Sequence, residues 1–136
     1  MKTIECYEYK KRFRFNIEFP KSMEIEPFMI KEISNLRYNF QNREWDDIII
    51  EIYEIIGFNV SEKLIKTLIN DNQNYFNFEL SYLNPTGVEY ERFKIYSKLM
   101  SIDLGASSYS KNNCTDTTSQ IKLKIKPTRI EIIETH

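Results

Sequence analysis

Glycine is scarce in this sequence, with only three glycines in 136 residues. Loops that cradle phosphate groups need several glycines at fixed spacing, because the backbone must approach the phosphate closely. Gly57, Gly87 and Gly105 are too far apart for any such loop. The sequence therefore excludes a nucleotide site of the glycine-rich type, and the glycines are interpreted as punctuation between secondary-structure elements.

Histidine and cysteine are almost as rare. The one histidine, His136, is the last residue, and chain ends fray, so it is a poor base for a catalytic triad. Cys6 and Cys114 form no CxxC pair and, with one histidine, give no ligand set at zinc-site spacing. The sequence therefore predicts no enzyme, no catalytic residues, no metal site and no cofactor.

Long apolar runs and a dominant charge are also missing. No stretch approaches the roughly 18 apolar residues of a membrane span, and residues 48–56 are interrupted by Glu51 and Glu54. The first residues lack the apolar segment of a secretory signal, so we expect no membrane association and a reducing compartment. The net charge of -1 supplies no general basic field for nucleic acid. The basic runs at 10–14 and 122–126 alternate with apolar residues and are interpreted as solvated strand faces.

Carboxylates are plentiful but not arranged as catalytic pairs. Asp46 and Asp47 are adjacent, and adjacent side chains on a strand point to opposite faces. Glu51 and Glu54 also fall on opposite faces of a strand. A glycosidase needs two carboxylates across a cleft, and nothing in the sequence singles out such a pair.

Alternation of apolar and polar residues is the main pattern that is present, and the 14% aromatic content favours β structure. It predicts strands at residues 11–19, within 28–40, and at 45–56, 75–83, 88–96, 99–104, 120–126 and 130–133. Pro20 ends the first strand and Pro127 interrupts the last, because proline cannot donate to the ladder. Residues 21–27 and 106–118 are predicted loops, and residues 41–44 a turn.

The first predicted strand has a second interpretation. Phe13 and Phe15 beside Arg12 and Arg14 also fit a sheet that stacks single-stranded nucleic acid on aromatic rings. Core packing is preferred, because the aromatic residues share one wholly apolar face with Ile17.

One helix is predicted, at residues 59–71. Asn59 fits an N-cap, with Glu62 three residues later as a variant capping box. The apolar positions recur at helical spacing and form one stripe: Val60, Leu64 and Leu68, with Ile65 and Ile69 alongside.

The segment Asn84-Pro85-Thr86-Gly87 predicts a tight hairpin turn, with Gly87 at positive φ. In the return strand the apolar phase slips between Tyr90 and Phe93, which predicts a β-bulge. The predicted elements are, in chain order, several strands, one helix and then more strands. This order predicts a mostly β fold in a single domain spanning residues 1–136. We expect two packed antiparallel sheets or a small β-barrel with one flanking α-helix.

Residues 43–133 resemble the tail-tube proteins of contractile-tailed phages, the group that includes the tube protein of type VI secretion systems. The resemblance rests on an acidic-aromatic entry to a strand (44–50), the helix (59–71), the turn (84–87), and residues 90–96 leading through 101–105 to a final strand (120–125). It implies a tube-like β domain whose copies form stacked hexameric rings, a conduit in which DNA is only passing cargo. The implied partners are other copies and other tail, sheath or baseplate proteins, in a virion assembled in the host cytoplasm.

One feature departs from that family. Its members carry a long loop or hairpin between early strands that grips the next ring, whereas residues 21–27 and 41–44 predict only short connections. A baseplate or tube-end protein of the same fold is therefore an alternative to a tube protomer. From a different class, a monomeric β-barrel binding module for a small ligand or peptide, with the helix as its lid, also fits.

Overall fold

Strands dominate the computed structural model, which describes residues 15–55, 57–72, 74–104 and 120–134. The strands in this part of the chain are β1 (Phe15–Glu18), β2 (Ile30–Ser34), β3 (Tyr38–Asn39), β4 (Glu44–Trp45), β5 (Ile48–Tyr53), β6 (Tyr75–Leu83), β7 (Glu89–Asp103) and β8 (Gln120–Ile133). The helix α1 (Val60–Leu64) continues as a π-helix (Ile65–Asn70), and two 3-10 turns (Lys21–Met23 and Pro27–Met29) precede β2. The predicted mostly β fold with one helix is confirmed.

Six of the strands form one antiparallel sheet in the order β1-β6-β7-β8-β5-β2. This sheet is nearly closed and barrel-like, which confirms the barrel form of the predicted architecture. Strands β3 and β4 form a separate two-stranded sheet between β2 and β5 in the chain. The barrel therefore carries a small hairpin on the connection between two of its neighbouring strands.

The barrel interior is filled by the apolar face of each strand. Ile48, Ile50 and Ile52 of β5 are fully buried, as their alternation predicts. Other strands contribute residues that are equally inaccessible: Ile17, Leu80, Ile95, Ile121, Leu123 and Ile125. Burying one such side chain stabilises the fold by roughly 1.5–3 kcal/mol. The helix closes over this core with Val60, Leu64 and Leu68, all of them buried.

Strand β7 is longer than predicted. Its 15 residues unite the two stretches predicted at 88–96 and 99–104 into one strand. The register with β6 shifts between Tyr82, opposite Glu91, and Leu83, opposite Glu89. The shift lies at Tyr90, at the start of the interval in which the sequence predicts a bulge.

Strand β8 also continues where the sequence predicted an interruption. Pro127 is buried within the strand and lies opposite Ser97, while Arg129 lies opposite Tyr96. The register shift leaves Thr128 between these pairs, and its Oγ1 donates a hydrogen bond to the Tyr96 carbonyl at 3.1 Å. A bulge thus accommodates the proline, so the prediction that Pro127 divides this region was wrong.

The predicted second strand region, 28–40, divides into two elements of different sheets. Asn35 has a positive φ of 66° and separates β2 from β3. Tyr38 and Phe40, whose alternation predicts a strand with a buried face, are 37% and 83% exposed. Period-2 alternation here belongs to the small hairpin and not to the barrel wall.

The helix differs from its prediction at both ends. Asn59 has φ 52° and its side chain makes no capping hydrogen bond, so the predicted capping box was wrong. In the π-helical part, Asp71 N–H donates to the Lys66 carbonyl five residues earlier, at 3.1 Å. The wider turn rotates the later residues away from the stripe. Ile69, predicted on the apolar face, is consequently 53% exposed.

The turn at Gly87 supports a stability prediction. Gly87 has φ 84°, as predicted, and its N–H donates to the Asn84 carbonyl at 2.9 Å. No atom within 4 Å would meet an added Cβ, so a substitution costs backbone strain alone. We expect Gly87→Val to lower the free energy of unfolding by about 1 kcal/mol or more, measured by urea denaturation. Gly87→Asn is the control and should cost less, because asparagine tolerates the left-handed region; equal stability of the valine variant and the parent would contradict the assignment.

Candidate assembly surfaces

The acidic residues considered for catalysis are bound by different neighbours. Asp46 accepts a hydrogen bond from Arg37 Nε at 2.6 Å, while Asp47 lies 3.8 Å from Lys124 Nζ. Glu54 accepts a hydrogen bond from the Ser61 hydroxyl. Within the described residues no group of three His, Cys, Asp or Glu side chains could hold a metal ion, and no helix is long and apolar enough to span a membrane.

Part of the sequence interpretation concerns residues outside the described ranges: Cys6, Arg12, Phe13, Arg14, Gly105, the loop at 106–118, Cys114 and His136. The described part of the first strand agrees with core packing. Ile17 is fully buried, Phe19 is 8% exposed, and Phe15 packs against the core.

In the part of the chain that the structure describes, the barrel sheet ends in two open edges. Among the described residues, β1 hydrogen-bonds only to β6, and β2 only to β5. The outer side of an edge strand carries backbone N–H and C=O groups that can pair with another strand. These edges are places where a neighbouring chain can extend the sheet.

Cross-strand ion pairs cover the outer surface of β8. Lys122 Nζ lies 3.5 Å from Glu51 of β5. Lys126 Nζ donates to Glu44 Oε2 at 2.6 Å and to the Trp45 carbonyl at 3.2 Å. The basic run at 122–126 is therefore neutralised by its own neighbours, as expected for a solvated strand face.

One arginine joins three carboxylates, one each from β1, β6 and β7. Arg92 Nη2 lies 2.6 Å from Glu79 and 3.1 Å from Glu18, and Nη1 lies 3.2 Å from Glu89. The hydrogen bond to Glu79, followed by the charges of all three glutamates, raises the pKa of Arg92 against the opposing effect of desolvation. This cluster ties the edge strand β1 to β6 and β7.

The aromatic hairpin, defined here as residues 35–47, contains β3 and β4 and the turn between them. The Tyr38 ring packs edge-to-face against Phe40 and Trp45, with centroids 5.1 and 5.3 Å apart. The Asn39 side-chain oxygen accepts hydrogen bonds from two turn N–H groups, at 2.9 and 3.3 Å. Phe40 nevertheless stays 83% exposed. A large apolar side chain is thus displayed on an internally braced turn.

Sequence reasoning missed this hairpin. It predicted the turn at 41–44 correctly but assigned residues 36–40 to the barrel, so the connection seemed short. Asn35, with φ 66°, marks the bend that separates the hairpin from β2, and Arg43, with φ 54°, lies in the turn between β3 and β4. Asparagine at position 35 was the available signal, since it tolerates that region better than most residues.

A groove lies where the two 3-10 turns approach the start of the helix. Its volume is about 660 Å³, and Phe19, Ile25, Met29 and Phe58 form its apolar floor and wall. Glutamates and lysines form the rim, and Lys63 lies 3.4 Å from Glu24. Phe28, 62% exposed, packs edge-to-face on Phe58. The groove is open to solvent and large enough for a few side chains.

Lys126 supports a pH prediction. Its hydrogen bond to Glu44 raises its pKa above the ordinary lysine value of 10.5. A raised pKa stabilises the fold below 10.5 and stops doing so as the pH rises through the raised value. Because Lys126 holds β4, we expect the fluorescence of Trp45, the one tryptophan, to change above pH 10.5. The Lys126→Arg variant stays charged over this pH range, so its tryptophan fluorescence should not show the change. Tyrosine ionisation affects the parent and the variant alike. Identical fluorescence titrations of the two proteins would therefore contradict the prediction.

Comparison with known proteins finds chains of similar fold but no match by sequence. No protein family matches the sequence, and a search of curated proteins finds no match either. The fold is similar to a chain in a cryo-EM structure of the anti-feeding prophage cap, described as the tube-terminating cap, with a TM-score of 0.70 and 13% identity. It is also similar to a chain in the six-fold symmetrised baseplate of the anti-feeding prophage, with a TM-score of 0.55 and 14% identity. Each match covers 98% of this chain and 97% of the other.

Proposed function

We propose that this chain is a structural subunit of a contractile-tail-like particle, without enzymatic activity, that forms a ring at the tube or at its end. The observation that carries the proposal is the end-to-end fold likeness to a tube-terminating cap chain. The likeness extends over 98% of this chain and 97% of the cap chain, so it is not confined to one part of the fold. Because that chain belongs to a cap, we favour the tube end over the tube shaft.

The surfaces described above give this proposal a physical basis. A structural subunit acts through the surfaces that join it to other chains. The described part of the molecule offers two open sheet edges and an exposed aromatic hairpin as such surfaces. Pairing at an edge satisfies backbone groups, and a fixed rotation between neighbours closes a ring. We propose other copies and other tail, sheath or baseplate proteins as partners. DNA would be at most passing cargo, since the lysines of β8 are already paired.

A monomeric binding module is the second candidate, and the groove is the observation that favours it. The helix does not act as a lid over an interior cavity in the described residues, because Val60, Leu64 and Leu68 belong to the core. A ligand would have to bind in the open groove. The filled barrel therefore favours the structural role.

Negative-stain electron microscopy of the concentrated protein tests the proposal. We expect rings with an open centre, and the same sample diluted about a hundredfold should show fewer of them, because assembly follows mass action. A uniform field of monomers at every concentration, together with saturable binding of a small ligand or peptide to the groove, would favour the binding module instead.

A further inference from the structure

The last part of strand β8 has a partner strand on one side only. Strand β5 pairs with β8 from Gln120 to Ile125, whereas β7 pairs with β8 as far as Ile133. Among the described residues, 128–133 therefore have no strand on the side where β5 lies, and their outward backbone groups form a further open edge. This β8 edge, defined as residues 128–133, is longer than the edge strand β1, which has four residues.

One face of the β8 edge is apolar. Ile130 lies opposite Ile95 of β7, which is fully buried, so Ile130 is on the core face of the sheet and packs against the core. Ile132, two residues further along the strand, lies on the same face but is 78% exposed. An exposed apolar side chain beside unpaired backbone groups is a combination that edge strands ordinarily avoid, because it favours pairing with another strand.

The other face of the β8 edge carries one charge of each sign. The Arg129 guanidinium lies over the Tyr96 ring, 4.9 Å from its centroid, and Glu131 accepts a hydrogen bond from the Tyr96 hydroxyl at 3.3 Å. Arg129 and Glu131 also form an ion pair with each other. Tyr96 thus holds a positive and a negative group at defined positions along the edge.

This charge pattern selects one register for pairing with a second copy of the same edge. When two copies of a strand pair antiparallel about a two-fold axis, opposite side chains share a face only if the axis passes through a residue. An axis at Arg129 places two arginines opposite each other, and an axis at Glu131 places two glutamates there. Like charges directly opposite destabilise a sheet. An axis at Ile130 instead places Arg129 of each copy opposite Glu131 of the other.

We propose that two copies of this chain pair through residues 128–132 of β8, antiparallel and symmetric about Ile130. Each edge then satisfies the backbone groups of the other, as in strand addition to a sheet. Ile130 faces its own counterpart, and Ile132 lies diagonally beside Ile130 of the other copy, which covers its exposed surface. The contact uses the same surface on both copies, so it saturates at two copies. It is therefore separate from the proposed ring, which closes through the edges of β1 and β2.

Charge exchange tests this register by sedimentation velocity over a range of concentrations. The parent should form a dimer. Arg129→Glu and Glu131→Arg each place like charges opposite each other twice, and each should weaken dimerisation about 10-fold or more. An equimolar mixture of the two variants should recover dimerisation, because every opposite charge pair in the mixed dimer is again an arginine with a glutamate. Damage to the fold of either variant would not be repaired by mixing.

The apolar face is tested by Ile132→Lys, which should weaken dimerisation about 10-fold or more because it places an ammonium group within the contact. Val88→Lys is the matched control: it makes the same kind of change at an apolar side chain that is 59% exposed and precedes β7, and it should leave dimerisation unchanged. Both positions are exposed, so circular dichroism should show the parent's fold in both variants.

A parent that forms no dimer at any concentration would overturn the β8 pairing. Charge variants that dimerise like the parent, or a mixture that recovers nothing, would overturn it as well. The proposed ring is judged separately, by electron microscopy of the same proteins. Rings that persist in variants without the dimer would leave the ring subunit in place, whereas a dimer that never forms rings would count against the ring and not against this pairing.

Discussion

Replacing Phe78 by alanine is expected to lower the free energy of unfolding by about 3–5 kcal/mol, a large part of the roughly 5–15 kcal/mol that stabilises a typical domain. Phe78 is 1% exposed, and its ring centroid lies 5.5 Å from that of Phe19 and 6.2 Å from that of Phe76. The substitution removes the ring that packs against Phe19, the residue directly after β1, and leaves a cavity in the core. Urea denaturation monitored by circular dichroism measures the loss.

Tyr75→Ala is the matched control for this prediction. Tyr75 belongs to the same strand but is 67% exposed, and the Lys98 ammonium lies 5.6 Å from its ring centroid. Its truncation should cost less than about 1 kcal/mol. Similar losses for the two variants would show that the inward face of β6 is assigned incorrectly.

Arg92→Met should be the second most damaging substitution, lowering stability by about 1–3 kcal/mol at neutral pH. It leaves Glu18, Glu79 and Glu89 close together without their shared cation. Methionine retains the apolar stem, so the loss reports on charge and hydrogen bonding. Dissolved ions screen the repulsion among the three carboxylates, and the deficit should therefore shrink as the salt concentration rises.

Two comparisons separate this explanation from a general loss of packing. Arg92→Lys keeps the charge but cannot make the paired guanidinium contacts, so it should lie between the parent and the methionine variant. Arg129→Met removes an exposed arginine from β8 and should change stability by less than about 0.5 kcal/mol. A deficit for Arg92→Met that is the same at low and at high salt would contradict the proposed role of the three carboxylates.

The barrel wall was predictable because its signals are local. In β5, isoleucine at positions 48, 50 and 52 alternates with outward residues, and burial follows directly from the period of the strand. Strand β6 has the bounds that the alternation predicts. Gly87, in the turn before β7, has the positive φ that the sequence predicts. This φ was predictable because it depends only on the local backbone geometry of the turn.

Features that depend on long-range geometry were not predictable in this way. Arg92 and Glu18 are 74 residues apart, and their contact exists only because β1 and β7 flank β6. The helix changes to π-helical spacing at Ile65–Asn70, which leaves Ile69 exposed, and no residue type in the sequence marks this change. The passage of β8 through Pro127 depends on a bulge against β7, which the sequence of β8 alone does not reveal.

The candidate surfaces were also predictable only where the signal in the sequence is local. The lack of a catalytic motif was visible in the sequence, but the groove combines residues of the 3-10 turns with Phe58 and Lys63 from beyond β5. The hairpin was hidden because residues 36–40 alternate like a barrel strand. Only the break at Asn35 distinguishes them, and one asparagine is a weak signal against five alternating residues.

Localisation of the chain in a particle tests the structural role most directly. Contractile-tail-like particles would be purified from cells that produce this protein with a small tag at one terminus, and their tails imaged by cryo-EM after labelling of the tag. The account predicts label in a ring at the tube or its end, and particles from cells lacking the protein should show a missing or altered tube end. Complete tails that carry no label, in cells where the protein is abundant and folded, would contradict the account.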